Sequence, residues 1–174
     1  MNAPSPDRPF VIAHLDDTSD QLLLMGLILE RDAPGRFSHH GVANDYELVT
    51  LLETVTPDGF ILDTLYPGVA DLPSGQPRAT LSWVRARPTL ATTPAVVMGT
   101  LWQPEWIADL LTAGVIAYYT LPVVTETWLE AAELLRDAAG WNGDAGLERA
   151  GAHRASLATR AAESPAGRST ANSI

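Results

Sequence analysis

The sequence contains neither cysteine nor lysine. Without cysteine there are no disulfide bonds, no thiolate metal sites and no thiol nucleophiles. All 11 basic residues are arginine, so any cationic side chain at a site must be a guanidinium. Long apolar runs are also missing, because none approaches the ~18 residues that span a membrane. The residues up to Arg8 are polar and proline-rich, unlike a signal peptide, and we expect a soluble cytoplasmic protein.

Positive charge is scarce. The 21 acidic residues give a net charge of −10, which disfavours binding to nucleic acid or to an anionic membrane. Disorder of the whole chain is excluded, because 46 % of the residues are apolar and only 18 % are charged. A length of 174 residues fits one domain.

The composition changes near Trp141. The stretch 142–174 is mostly Ala, Gly, Ser and Arg, and its large apolar residues are Leu147, Leu157 and Ile174. Such a stretch buries too little surface to offset its ordering entropy. We therefore predict a flexible N-terminus over 1–8, a folded domain over 9–141 and a mobile tail over 142–174, with transient helix within that tail.

Short apolar segments alternate with helical patterns through the first 141 residues. Strands are predicted at 10–15, 37–42, 59–63, 95–99 and 115–119. Capping-box spacings that mark helix starts are Thr18 with Gln21, Asn44 with Glu47, and Thr127 with Glu130. Two more helices are predicted over 79–87 and from Pro104 to Gly114. This order predicts an α/β fold, a parallel sheet with helices on both faces and ligands at the carboxyl ends of the strands.

Carboxylates stand at two of these strand ends. Asp16 and Asp17 follow the first strand, and Asp63 ends the third. If the two strands are neighbours, three carboxylates share one edge, and a cation is needed to offset their repulsion. Oxygen ligands of this kind suit Mg²⁺. The alternative is that Asp16 or Asp17 caps the first helix while Asp63 faces solvent.

Four segments together resemble the receiver domains of response regulators. They are AHLDDTS at 13–19, GFILDTLYP at 59–67, PAVVM at 94–98 and AGVIAYYTLP at 113–122, and the resemblance covers about residues 9–139. It implies a flavodoxin-like, doubly wound five-stranded sheet in the order 2-1-3-4-5. It also implies a cis peptide bond between Leu121 and Pro122.

The resemblance further implies a chemistry. Asp63 would accept a phosphoryl group from a histidine kinase or a phosphotransfer protein, with Mg²⁺ as the cofactor. Asp17 and Asp63 would bind the ion directly and Asp16 through a water molecule. The backbone carbonyl of Leu65 would complete the protein ligands.

Two positions depart from the receiver pattern. The usual Thr or Ser, five residues after the strand-four proline, is Gly99 here, and Thr100 replaces it only if a bulge turns its side chain to the other face. The usual lysine before the fifth-strand proline is Leu121. Tyr118 matches the aromatic residue that couples to the missing hydroxyl. Two interpretations follow: a receiver that is phosphorylated slowly with Mg²⁺ alone, or a pseudo-receiver that signals without phosphorylation.

Aromatic residues gather on the fourth helix, fifth strand and fifth helix. Trp102, Trp106, Tyr119 and Trp128 are the candidates there for contacts with a partner or within a homodimer. The loop 67–78 is longer than in typical receivers and is a candidate lid. We expect a stand-alone signalling protein rather than a turnover enzyme. The alternatives are a phosphorylation-independent interaction module and, from another class, a Mg²⁺-dependent hydrolase or flavin-binding protein.

Overall fold

The computed structural model describes residues 8–64, 77–100 and 102–163, and its framework is a parallel sheet of five strands. The strands run in the order β2-β1-β3-β4-β5, as the resemblance implied. Their bounds are β1 Phe10–Leu15, β2 Phe37–Val42, β3 Gly59–Asp63, β4 Ala95–Gly99 and β5 Val115–Thr120. The predicted strands agree with these bounds, except that β5 is one residue longer.

Within the described ranges, six α-helices connect and cover the strands. They are α1 Ser19–Asp32, α2 Asp45–Leu51, α3 Pro77–Arg85, α4 Pro104–Thr112, α5 Thr125–Ala138 and α6 Gly143–Glu163. A short 3₁₀ turn, Pro88–Leu90, follows α3. No helix in the described ranges has the length and apolar character needed to cross a membrane.

The helix starts test the capping predictions. At α2 the prediction is confirmed, because the Asn44 side chain accepts a hydrogen bond from the Glu47 amide at 3.0 Å. Thr18 stands at the N-cap of α1, but its side chain makes no capping bond. The prediction for Thr127 is wrong, because α5 begins two residues earlier, after Val124. The backbone is extended at Val124 and becomes helical at Thr125, so Thr127 lies inside the first turn and cannot cap the helix.

Both faces of the sheet are covered, which confirms the doubly wound architecture. One apolar layer packs the sheet against α1 and α5, with Met25, Ile28, Leu29, Trp128 and Leu135 among its buried side chains. The other packs it against α2, α3 and α4, with Leu48, Leu81, Val84 and Ile107. The Leu121–Pro122 peptide bond is cis, as expected from the resemblance.

The mobile tail predicted from residue 142 is not what the structure shows over 143–163. Here α6 packs against α4, α5 and β5. Leu157 is 3 % exposed, and Ala150 and Ala161 are also buried. The composition did not indicate that this segment packs on the domain. Its small residues let the helices approach closely, and polar side chains anchor it.

Two arginines supply those anchors. Arg149 binds the buried Asp137 carboxylate through two nitrogens at 2.7 and 2.9 Å. Arg154 donates to the Leu111 carbonyl oxygen, at the end of α4, at 2.7 Å. The last residues of the predicted tail, 164–174, lie outside the described residues, and so do residues 1–7.

Candidate functional site

The three predicted carboxylates converge at the carboxyl edge of the sheet. β1 and β3 are hydrogen-bonded neighbours, with Leu15 opposite Leu62, so the residues that follow them meet. Asp16, Asp17 and Asp63 each offer an oxygen atom, and these atoms lie within 4.8 Å of one another. Asp63 is only 9 % exposed, so the alternative in which it faces solvent is wrong.

The two carboxylate oxygens of Asp16 have different surroundings. Its Oδ1 atom accepts a hydrogen bond from the Thr18 amide at 2.7 Å, so it also orders the entry to α1. Its Oδ2 atom is buried and has no hydrogen-bond partner among the described residues. Burial raises the pKa of this carboxyl, and the neighbouring Asp17 adds to the rise, while the Thr18 bonds oppose it.

A histidine lies beneath the carboxylates without neutralising them. His14 Nε2 is 3.8 Å from Asp16 Oδ2, and the ring is fully buried. Burial, and then the nearby His39, hold the pKa of His14 well below its usual value, so the ring is neutral. His14 Nδ1 lies 3.1 Å from His39 Nε2, so the ring has a hydrogen-bonding partner within the core.

The donor set fits a hard divalent cation. All three groups are carboxylates, which are the ligands Mg²⁺ prefers, and one of their oxygens is buried without a partner. A buried unpaired charge is costly, and a bound cation removes that cost. Leu65, whose carbonyl was the fourth expected ligand, lies outside the described residues, as does most of the candidate lid.

The β4 side of the site has a different character. A Cβ atom added to Gly99 would lie 2.0 Å from Thr64 Cγ2 and 2.6 Å from the Tyr118 hydroxyl oxygen. These neighbours leave room only for glycine. Thr64 Oγ1 in turn lies 3.5 Å from Asp63 Oδ1.

Thr100 and Leu121 lie on the other face of the sheet. Both line a cavity of about 330 Å³ beside Gln21 of α1 and Trp128 of α5. The side chain of Thr100 is therefore turned away from Tyr118, in agreement with the alternation of a strand. Leu121 packs against the apolar layer of α1 and α5, where it brings no cation.

The chain has no lysine, so a cation in place of the usual one has to be an arginine, and three arginines lie on or near α3. Arg78 pairs with Asp109, and Arg85 donates to the carbonyl oxygens of Ala113 and Gly114. The Arg87 guanidinium lies over the Trp83 ring, 3.7 Å from its centroid. All three cations are thus engaged away from the acidic cluster.

The predicted aromatic interface is divided between core and surface. Trp128 does not belong to that surface, because it is 2 % exposed and packs against His14. Trp102 and Trp106 are half-buried and meet the Tyr118 ring edge-on, with centroids 6.0 and 5.8 Å apart. The Tyr119 hydroxyl donates to Glu130 Oε1 at 3.0 Å.

Helix α6 crosses this surface, and sequence reasoning missed it. The His153 ring lies 5.9 Å from that of Tyr119, and the Arg160 guanidinium lies 4.6 Å from the Trp102 ring centroid. The available indication was the spacing of Gly146, Ala150, Leu157 and Ala161, since these small or apolar residues share one helical face.

No protein-family model matches the sequence, and neither does any curated protein. Solved structures do match. The receiver domain of a signal transduction histidine kinase from Syntrophus aciditrophicus is 24 % identical, with a TM-score of 0.58 over 72 % of this chain and 88 % of that one. Chemotaxis response regulator CheY4 of Vibrio cholerae is 17 % identical, with a TM-score of 0.62 over 73 % of this chain and 98 % of that one.

A third similar structure is the receiver domain of a LuxO repressor protein from Vibrio parahaemolyticus. It is 15 % identical, with a TM-score of 0.64 over 77 % of this chain and 95 % of that one. Strand order, doubly wound helices and these likenesses agree, and the chain has the flavodoxin-like fold of response-regulator receiver domains.

Proposed function

We propose that this protein is a receiver-like signalling module of a phosphorelay, in which Asp63 accepts a phosphoryl group and partner binding is the output. The observation that carries the proposal is the convergence of Asp16, Asp17 and Asp63 within 4.8 Å at the carboxyl edge of a receiver-type sheet. The module changes state when it is modified and is not a turnover enzyme.

The chemistry is a single displacement at phosphorus. A carboxylate oxygen of Asp63 attacks the phosphorus of a phosphohistidine on a histidine kinase or phosphotransfer protein. The new O–P bond forms as the P–N bond breaks, and the departing imidazole takes a proton from solvent. Burial of Asp63 between β1 and β4 holds the nucleophile at the open edge of the sheet.

Asp17 and Asp63 would hold Mg²⁺ directly, Asp16 would hold it through a water molecule, and the Leu65 carbonyl would be a further ligand. When bound, the cation offsets the negative charge that builds on the transferring phosphoryl oxygens. The chain itself contributes the positions of the three carboxylates. The Thr18 amide fixes one of them by its bond to Asp16.

The second candidate is a pseudo-receiver that binds partners without being phosphorylated. One observation favours it: Leu121 packs in the core, and the arginines of α3 are engaged elsewhere, so no cation of the described residues replaces the usual lysine. A hydrogen bond to a charged group is worth about 1.5–3 kcal/mol, so its loss slows labelling without removing the nucleophile.

The output surface would be the one formed by α4, β5 and α5, through a protein partner or a second copy of this chain. In a single chain α6 already lies over part of it. A partner therefore either binds the outer face of α6 or displaces this helix. The acidic net charge of −10 makes nucleic acid an unfavourable partner, and we place the protein in the cytoplasm.

Phosphoryl incorporation tests the proposal directly. The full chain is incubated with acetyl phosphate and Mg²⁺, and its intact mass is followed with time. We expect one phosphoryl group per chain, lost in Asp63→Asn and retained in Asp20→Asn, a matched change of an exposed aspartate on α1. Labelling that survives in Asp63→Asn refutes this acceptor, and a wild type that never labels favours the pseudo-receiver.

A further inference from the structure

Two hydroxyl groups converge on the space beside Asp63 that Gly99 leaves open. The Tyr118 hydroxyl oxygen and Thr64 Oγ1 lie 2.6 and 2.8 Å from the point that a Cβ of residue 99 would occupy. Real Cβ atoms do not approach other atoms so closely, so these two side chains already fill the position. The side chains of Tyr118 and Thr64 therefore occupy the volume that a side chain at residue 99 would take.

Packing fixes the direction of the Tyr118 side chain. The residue is 4 % exposed, and it stands opposite Val97 in the pairing of β4 with β5. Trp102 and Trp106 meet its ring edge-on from the α4 side. The aromatic neighbours hold the ring over the end of β4, with its hydroxyl beside Gly99 and Thr64.

A phosphoryl group on Asp63 needs donors on this side. It carries negative charge on its oxygens, and positioned donors stabilise such charge. The carboxylates Asp16 and Asp17 lie on the β1 side and can only accept while ionised. The arginines of α3 are engaged elsewhere, so among the described side chains the donors at the Gly99 position are the hydroxyls of Thr64 and Tyr118.

We propose that Tyr118 is a phosphoryl-binding residue, whose hydroxyl donates a hydrogen bond to an oxygen of the phosphoryl group on Asp63. Thr64 is then a positioning residue that fills the remaining space. This inference rests on the proposed function, since it assumes that Asp63 is the acceptor. It makes Gly99 a requirement of the site, because any larger side chain there displaces the Tyr118 hydroxyl.

The test compares Tyr118→Phe with Tyr119→Phe, which removes the hydroxyl of the next residue, bonded instead to Glu130. Both full-length variants are labelled with acetyl phosphate and Mg²⁺. We expect the labelling rate constant of Tyr118→Phe to fall about ten-fold, the lower end for a hydrogen bond to a charged group. Tyr119→Phe should label at the wild-type rate.

A second measurement separates contact from packing. Beryllofluoride with Mg²⁺ mimics the phosphoryl group, and its fluorine resonances report hydrogen bonds to each fluorine. We expect one ¹⁹F resonance to shift in Tyr118→Phe and none in Tyr119→Phe. Slow labelling of Tyr118→Phe with unmoved fluorine resonances would show that the hydroxyl acts only through packing, and would overturn the inference.

The remaining outcomes are also decisive. If Tyr118→Phe labels at the wild-type rate and its fluorine resonances match those of the wild type, the inference is overturned and Asp63 remains the acceptor. If Thr64→Val slows labelling and Tyr118→Phe does not, the donor is Thr64 and the assignment to Tyr118 is wrong. A wild type that takes up neither phosphoryl group nor beryllofluoride overturns the proposed function, and this inference falls with it.

Discussion

The two sides of the candidate site are built on opposite principles. The acidic side, formed by Asp16, Asp17 and Asp63 over His14 and His39, brings three carboxylates within 4.8 Å of one another, and one buried Asp16 oxygen has no hydrogen-bond partner among the described residues. The aromatic side, formed by Gly99, Tyr118, Trp102 and Trp106 beneath α6, is packed by rings, and the Arg160 guanidinium of α6 lies over Trp102. The donor set of the first side fits a divalent cation, whereas the second side is held by packing.

This difference shows which part of a receiver-type site tolerates change. Each carboxylate is a ligand of the proposed cation, whereas Gly99 and Leu121, where the resemblance leads one to expect a hydroxyl and a lysine, take part in packing. The clustered charge of the acidic side lowers the stability of the fold, whereas the packing of the aromatic side raises it. Such a division is common where function and stability compete. The predictions below perturb each side in turn.

The largest effect is expected from the helix that covers the aromatic side. Leu157 is buried between α6 and the domain, so Leu157→Ala should lower the free energy of unfolding by about 3 kcal/mol, as for other buried leucines. Leu147→Ala is the matched control on the same helix, because Leu147 is 47 % exposed and should change stability little. Urea denaturation measures both, and equal effects would mean that α6 does not pack on the domain.

The next largest effect is the loss of stability at low pH that the histidines of the acidic side cause. Burial lowers the pKa of His39 from 6.5 to about 4, so the unfolded chain binds a proton that the folded chain refuses. The resulting stability is complete above pH 6.5 and is lost as pH falls towards 4, by about 1.4 kcal/mol per pH unit. His14, whose pKa is also lowered, acts in the same direction.

Removing His39 should therefore flatten the acid limb of the stability curve. Between pH 6.5 and 5, we expect the free energy of unfolding of His39→Gln to fall by about 2 kcal/mol less than that of the wild type, because one buried histidine no longer takes up a proton on unfolding. His40→Gln, on the opposite face of β2, serves as the control. Urea unfolding at several pH values gives the slopes, and parallel slopes for wild type and His39→Gln would contradict the buried neutral pair.

The smallest effect is the response of the acidic side to Mg²⁺. At ten times its dissociation constant, a ligand that binds only the folded state stabilises it by about 1.4 kcal/mol, which corresponds to a few degrees in Tm. The rise should vanish in Asp17→Asn and persist in Asp20→Asn, and sodium chloride of equal ionic strength should not reproduce it. A wild-type response in Asp17→Asn would place the ion elsewhere.

Local patterns were sufficient for most of the fold. The strand bounds followed from apolar runs, and the Asn44 cap followed from a spacing of three, because both depend on neighbours in the chain. The convergence of the carboxylates needed one further step, the pairing of β1 with β3. Prediction failed at Thr127 and at Trp128, where the geometry of the preceding turn and the depth of the core depend on distant residues.

The sequence by itself determined the strands, the helices α1 to α5 and the presence of aspartates at two strand ends, since these features are encoded by local patterns. Only the tertiary structure decided what covers the aromatic side. The close packing of small residues places α6 there, and Asp137 and Leu111, which hold its arginines, are neighbours in space alone. Likewise, the loss of a side chain at Gly99 is visible in the sequence, but its replacement by Tyr118 and Thr64 depends on which side chains share that space.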